Sequence, residues 1–231
     1  NGTQVESHYS GTGGVEMSNF LRRSAFALRY QDLNLWISDQ VTSKSRMLFE
    51  RDVESMAHKV APFLSFDSHP YAVMANGRVQ FVLDGYTTSA HFPYAEDASS
   101  QGVPNSSGLP QSFNYVRNSV KVVIDAYDGS LKLYAFGSTG EATDPILAAY
   151  RSAFPDLFRP ASEMPEAIRQ HLKYPQDLFA VQASLWGRYH IDSAAAFYTA
   201  SDRWQVSPTT GSGSPSQALQ STVVTSKTGV V

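Results

Sequence analysis

The stretch Val79-Gln80-Phe81-Val82-Leu83-Asp84-Gly85-Tyr86 recurs later in the chain as Val120-Lys121-Val122-Val123-Ile124-Asp125-Ala126-Tyr127. Each copy is an apolar, β-rich run that closes on Asp-x-Tyr, and side chains of this kind fit a half-buried pleated surface. Ahead of the first copy stand residues 71–75 and the dipeptide Asn76-Gly77, which best accepts the two positive φ angles of a type I′ hairpin turn. Behind the second copy stand Asp128-Gly129, read as another turn of this class, and residues 131–136. The middle of the chain therefore predicts a sheet built from two similar hairpins.

Helical signals flank this region. Ser18 is a candidate N-cap for a helix with an apolar stripe of Phe20, Leu21, Ser24 and Leu28, while Arg22, Arg23 and Arg29 sit largely on other faces. A second helical piece over residues 33–38 follows Asp32, and residues 46–50 read as a short strand. Asp52 caps a helix whose core face is Val53, Met56, Ala57 and Val60 and which Pro62 ends. Beyond the hairpins, Pro145 suits a first helical position, a role repeated by Pro165 for residues 166–172 and by Pro175 for residues 176–189. Asp192 caps a last short helix through Phe197 and Tyr198. The expected fold is α+β, an antiparallel sheet of two β-hairpins flanked by N-terminal and C-terminal helices, forming one unit over residues 15–206. Residues 1–14 carry four glycines and read as an extended lead-in. Residues 97–112 and the Ser/Thr/Gly/Pro-rich residues 207–231 read as a mobile loop and a flexible tail, within which residues 222–225 add a strand or hang free.

Composition narrows the function classes. With 42% hydrophobic residues in 231, the chain can bury a substantial core. A net charge of −3 leaves no basic field for phosphate backbones, so no nucleic-acid partner is expected. The absence of cysteine excludes disulfides, thiolate nucleophiles and Cys-ligated metal centres. No apolar run approaches the roughly 20 residues that cross a bilayer, so the chain itself is expected to be soluble.

The nearest thing to a chemical constellation is the pair of acidic strand ends. Alternate side chains share a face of a strand, so Asp84 and Tyr86 point one way, as do Asp125 and Tyr127. Neighbouring strands would bring the two carboxylates together and raise the pKa of one, the usual preparation for acid-base work. The simpler reading is architectural: an Asp near Gly accepts the backbone hydrogen bonds of a turn, and the Tyr beside it packs its ring on the sheet. A calcium reading of Asp125 and Asp128 lacks the alternating oxygen ligands of a calcium loop. The six histidines never fall three or four residues apart, which rules out a helical metal pair but not ligands that converge in space. No nucleophile elbow or phosphate loop occurs, and neither a metal nor a cofactor is assigned. Arg22 and Arg23 either grip an acidic partner or lipid headgroup or form a solvated face.

Several pieces in order resemble uncharacterised protein family 0182, bacterial multi-pass membrane proteins with a large extracytoplasmic region. They include Phe20-Leu21-Arg22-Arg23, Asp32-Leu33-Asn34-Leu35, Val60-Ala61-Pro62-Phe63-Leu64, Asp84-Gly85-Tyr86-Thr87-Thr88, Asp125-Ala126-Tyr127-Asp128-Gly129, Tyr174-Pro175 and Arg188-Tyr189-His190. The likeness implies a part of the extracytoplasmic region of a membrane-embedded parent, and it brings no catalytic residues. The expected function is a binding or scaffolding domain on the outer side of the cell membrane that meets an envelope protein, glycan or lipid. Candidate contact residues are Arg22, Arg23, Asp84, Tyr86, Asp125 and Tyr127. The rival expectations are an envelope hydrolase working through Asp84 and Asp125, and a structural oligomerisation segment.

Overall fold

The structure, a computed structural model, describes residues 9–38, 41–98, 107–137, 144–199 and 201–204. Its elements in order are β1 (Val15–Glu16), α1 (Phe20–Tyr30), α2 (Asn34–Ile37), β2 (Arg46–Met47), α3 (Val53–Val60), β3 (Ser65–Phe66), β4 (Tyr71–Ala75), β5 (Arg78–Ser89), β6 (Tyr115–Asp125), β7 (Leu131–Ala135), α4 (Pro145–Ala153), β8 (Phe158–Pro160), α5 (Glu166–Arg169), α6 (Gln176–Tyr189) and α7 (Ala194–Thr199).

Both hairpins form and join through antiparallel pairing of β5 with β6. At the first turn Asn76 and Gly77 have φ of 52° and 74°, the type I′ signature. The second turn differs from expectation, since only Gly129 is left-handed, at φ 72°. The Asp125 carboxylate organises a longer loop there by accepting from Tyr127 N at 2.8 Å, while the Asp125 N–H bonds Ser130 O. Within the six-stranded sheet two strands were not anticipated: β3, antiparallel to β5, and β8, parallel to β7. They have two and three residues, too few to show a period.

One face of the six-stranded sheet carries Leu83, Val120, Val122, Ile124 and Leu133 and is covered by Ala57 of α3 and Leu147 of α4. The other carries Val73, Val82, Val123 and Tyr134 against Met164 and Ile168, the latter from α5. Burial of each such apolar side chain is worth about 1.5–3 kcal/mol, so the sheet is held from both sides. Between the Gly85↔Val120 and Thr87↔Arg117 pairs, β6 carries one residue more than β5, so Asn118 and Ser119 both oppose Tyr86. Such a bulge re-aims side chains. Asn118 bonds Asp84 and Ser119 bonds Asp144, so neighbouring residues serve two different networks.

The Asp144 network fixes the start of α4. The carboxylate accepts from Ile146 N and Tyr115 Oη, each at 3.0 Å, and from the hydroxyls of Thr87 and Ser119. Burial pushes its pKa up, but the donors from Ser119, Thr87, Tyr115 and Ile146 more than offset this and hold it below the usual value.

Other boundaries follow local capping chemistry. Asp52 caps α3 as expected, accepting from Ser55 N, but Asn19 rather than Ser18 caps α1. Pro165 and Pro175 sit at the N-cap instead of inside the first turn, and Ser193 rather than Asp192 bonds the start of α7. The expected stripe of α1 faces outward: Phe20, Leu21 and Leu28 are 71, 77 and 82% exposed, and Ala27 is the helix's buried residue. An apolar stripe does not say which side a core lies on, and α3 takes the place on the sheet. Within the predicted mobile loop, Ala98 and Leu109 are packed with Tyr86, Phe113 and Val181, while residues 99–106 lie outside the described residues. The predicted tail and its strand at residues 222–225 also lie outside them.

Candidate functional site

β3 and β4 lie on the same side of β5, Ser65 opposite Tyr86 and Tyr71 opposite Val82, and the chain leaves the sheet between them. Residues 67–70 fill this interruption with Asp-Ser-His-Pro. Pro70 has no N–H to donate to a ladder, which suits it to the place where pairing resumes. The freed amides are met by carboxylates instead. His69 N donates to Asp67 Oδ1 at 3.0 Å, and Ser68 N donates to Asp177 Oδ2 at 2.8 Å. Asp177 arrives from the first turn of α6, and its own N–H donates to Asp67 Oδ2 at 3.0 Å.

Each carboxylate accepts most of its hydrogen bonds through Oδ2, while Asp67 Oδ1 takes His69 N and Asp177 Oδ1 takes the Ser68 hydroxyl at 3.1 Å. Tyr86 Oη donates to Asp67 Oδ2 at 2.5 Å, and Gly108 N donates to Asp177 Oδ2 at 2.9 Å. Their other oxygens turn toward His69, whose Nδ1 lies 3.5 Å from Asp67 Oδ1 and 3.9 Å from Asp177 Oδ1. The Ser68 hydroxyl touches both His69 Nδ1, at 3.0 Å, and Asp177. Burial and the neighbouring Asp67 push Asp177 up, and amide and hydroxyl donors offset that only in part. Burial, then Asp67, also pushes the Tyr86 phenol far above its usual value, so it remains a donor.

These groups border a cavity of about 400 Å³ lined by residues that include Asp67, His69, Tyr71, Asp84, Lys173 and Tyr174. Lys173 lies 4.8 Å from the centre of the Tyr71 ring, which gives one wall a cation held over an aromatic face. Asp84 is paired with Lys121 and accepts from Asn118 Nδ2 at 3.1 Å.

The residues singled out from sequence separate into three places. Asp84 and Tyr86 belong to this cavity region, the first lining it and the second anchoring Asp67. Asp125 and Tyr127 do not join them. β5 and β6 are neighbours, but antiparallel register sets Asp125 opposite Gln80 and Asp84 opposite Lys121. That is four positions along the strand, roughly 13 Å. The expected meeting of the two carboxylates therefore does not occur, and a hydrolase built on that pair loses its geometry. Asp125 instead accepts from Arg78, Gln80 and the turn amides, and burial's upward push on it is more than offset by these donors. Arg78 also bonds Asp128, so a guanidinium occupies the place imagined for calcium. Tyr127 holds the lead-in: its hydroxyl accepts from Ser10 N at 2.9 Å and its ring meets Tyr9 at 4.9 Å. Gly13 runs so close to Asp128 that a Cβ there would lie 1.9 Å from its carbonyl oxygen. Arg22 and Arg23 are on α1, bonded to Glu16 and Ser18 and to the Val41 carbonyl respectively.

Sequence reasoning missed Asp67, Ser68, His69 and Asp177. The only local signal was an Asp-Ser-His-Pro run between β segments, and Asp177 stands more than a hundred positions further on. Among the described residues, Asp67, His69 and Asp177 are also a set whose ligand atoms all lie within 4.8 Å of one another.

Comparison with known proteins places the chain in a family. A UPF0182 protein of Frankia casuarinae is 42% identical over 224 residues, covering 92% of this chain and 22% of the relative. One from Corynebacterium glutamicum is 43% identical, covering 89% and 22%, and one from Corynebacterium diphtheriae is 41% identical, covering 86% and 21%. The chain thus spans about a fifth of the length of the curated relatives it matches. No solved structure matches it. Among the described residues no helix is long and apolar enough to cross a membrane. The family model for Uncharacterised protein family (UPF0182) matches residues 1–228, and the chain belongs to that family.

Proposed function

We propose that the chain is an extracytoplasmic binding domain of a membrane-embedded parent, and that its pocket is the cavity beside the β3–β4 interruption. The observation that carries the binding reading is the cavity itself: about 400 Å³, walled by Tyr71, Tyr174 and Lys173 over buried carboxylates. Concave sites with a few convergent polar groups are where small ligands and chain ends dock. The partner is envelope material, the end of a protein, glycan or lipid headgroup that offers hydrogen-bond donors and an apolar face for the tyrosines. The outward placement is supported by the family resemblance set out from the sequence.

Two measurements test this. This chain has no cysteine, so with any cysteine outside it replaced by serine, Tyr94→Cys, at a fully exposed site, reports topology in the full-length parent. A membrane-impermeant maleimide should label it on intact cells, and labelling only after lysis refutes the placement. Tyr174→Ala should weaken capture of envelope material by the parent at least tenfold, and unchanged capture refutes the pocket.

A second reading, assembly between copies, is favoured by the exposed apolar side chains of α1 and α2, Phe20, Leu21, Leu28 and Ile37. Such a patch is a common interaction surface. A mass that rises with concentration in light scattering supports it, and a strict monomer refutes it.

A further inference from the structure

We infer that Asp67 Oδ1, His69 Nδ1 and Asp177 Oδ1 form a binding site for one first-row divalent cation, of the Zn²⁺ or Mn²⁺ class, at the border of the cavity. The inference deepens the pocket reading and rests on it for its role, but not for its geometry.

Three observations carry it. The first is spacing. The His69 Nδ1 separations of 3.5 and 3.9 Å from the carboxylate oxygens are too long for good direct hydrogen bonds. They approach the separation of about 3.3 Å between neighbouring donors around a tetrahedral ion with bonds of about 2.0–2.1 Å. All three donors lie within 4.8 Å of one another, so a small movement of the half-buried imidazole closes the set. The second is charge. The side chains of Asp67, Asp84 and Asp177 are 2, 4 and 6% exposed, and the buried ammonium among them, Lys121, is committed to Asp84. Asp67 and Asp177 thus have neutral hydrogen-bond donors but, among the described residues, an imidazole as their ion-pair partner, and a buried anion pair is costly unless a cation balances it. The third is an orphan acceptor. Gln176, on the wall of the same cavity, holds Oε1 out of solvent with no hydrogen-bond partner among the described residues. Water or a ligand held in the cavity would give this acceptor a donor.

The surroundings have the form of a ligand shell with its supports. Tyr86 Oη and Asp177 N fix Asp67 through Oδ2, and Ser68 N and Gly108 N fix Asp177 through Oδ2. The Oδ1 oxygens accept from His69 N and from the Ser68 hydroxyl, and they turn their remaining lone pairs toward the His69 ring. Outer hydrogen bonds of this kind orient metal-ligating carboxylates. The donor set of one imidazole and two carboxylates selects the cation class. Calcium takes six to eight oxygens, whereas imidazole with carboxylate suits zinc and manganese. Three protein donors leave coordination positions for water or for a ligand group in the cavity.

The test is calorimetric titration of the EDTA-treated 231-residue chain with ZnCl₂ and MnCl₂, with metal content checked by mass spectrometry and Co²⁺ substitution followed in the visible spectrum. One ion per chain is expected, with affinity falling at least 100-fold in His69→Ala and Asp177→Asn. Tyr86→Phe, which keeps the ring and removes only the support of Asp67, should weaken binding 10–100-fold. Circular dichroism confirms that each variant is folded, and Arg78→Ala, remote from the set, should bind as the parent chain does. No binding in the wild type, or equal binding in a folded His69→Ala and Tyr86→Phe, overturns the site. A chain that captures envelope material through Tyr174 but binds no ion overturns the cation and leaves the pocket. One that binds the ion while capture ignores Tyr174→Ala overturns the pocket and leaves the cation.

Discussion

Replacing Asp144 with alanine should cost far more than an ordinary helix cap. The cap itself, the acceptor for Ile146 N, is worth about 1 kcal/mol. The carboxylate also receives the hydroxyls of Thr87 and Ser119, which are 0 and 3% exposed. In the variant these hydroxyls, 3.2 Å apart, can bond each other, and the remaining buried donor, on Thr87, is left with only the Arg117 carbonyl at 3.5 Å, too long for a good bond. A stranded buried donor costs about 1–3 kcal/mol. The total is about 3 kcal/mol, and for a chain of this size it lowers Tm by roughly 6–12 °C. Asp52→Ala removes the cap of α3 at an exposed position and should cost only about 1 kcal/mol. Urea and thermal unfolding followed by circular dichroism compare the two. The sign with pH is also fixed. The Asp144 pKa is depressed in the folded protein, so its contribution is fully present above the ordinary aspartate value of 3.8 and is lost as pH falls through the lower folded value. The deficit of Asp144→Ala should therefore shrink as pH falls below 3.8 and through the lower folded value. Equal losses in Asp144→Ala and Asp52→Ala at neutral pH would refute the buried-network account.

Lys121→Met leaves Asp84 buried without its cation and should destabilise by about 3–5 kcal/mol, whereas adding Asp84→Leu to it should recover much of the loss in a double-mutant cycle. Arg78→Ala should cost far less than Lys121→Met, because its side chain is 46% exposed, and the cost should fall at high salt in matched urea titrations. Gly108→Ala would set a Cβ 1.7 Å from the Phe66 carbonyl oxygen and should cost about 1–3 kcal/mol. Gly77→Ala meets no atom within 4 Å and should lose only about 1 kcal/mol to its left-handed backbone, so the order of the two melting temperatures checks the loop packing.

The hairpins were legible because their signals are local. Asn76-Gly77 specifies its turn through backbone angles alone, and the repeated runs are apolar and rich in β-branched residues, as strands buried on both faces are. The cap at Asp52 was legible for the same reason, while for α4 the sequence showed Pro145 but not the Asp144 cap before it. The relation between Asp84 and Asp125 was not, because register is decided by the β5–β6 pairing and not by either strand. The outward stripe of α1 shows the same limit, since periodicity defines a face but not its neighbour. The Asp67, His69 and Asp177 set was hidden more deeply. It arises where a strand breaks and a helix start from the far end of the chain fills the break, and no spacing records that.

The same break bears on how the sheet ends. Along one margin the outermost ribbon is cut at residues 67–70 and its loosened amides are already claimed by carboxylates. Along the other, β8 offers three residues and stops at Pro160, whose nitrogen has no hydrogen to give. Neither margin is a long template on which a foreign strand can zip, so the protein is guarded against growth into fibrils by the feature that gathers its acidic groups.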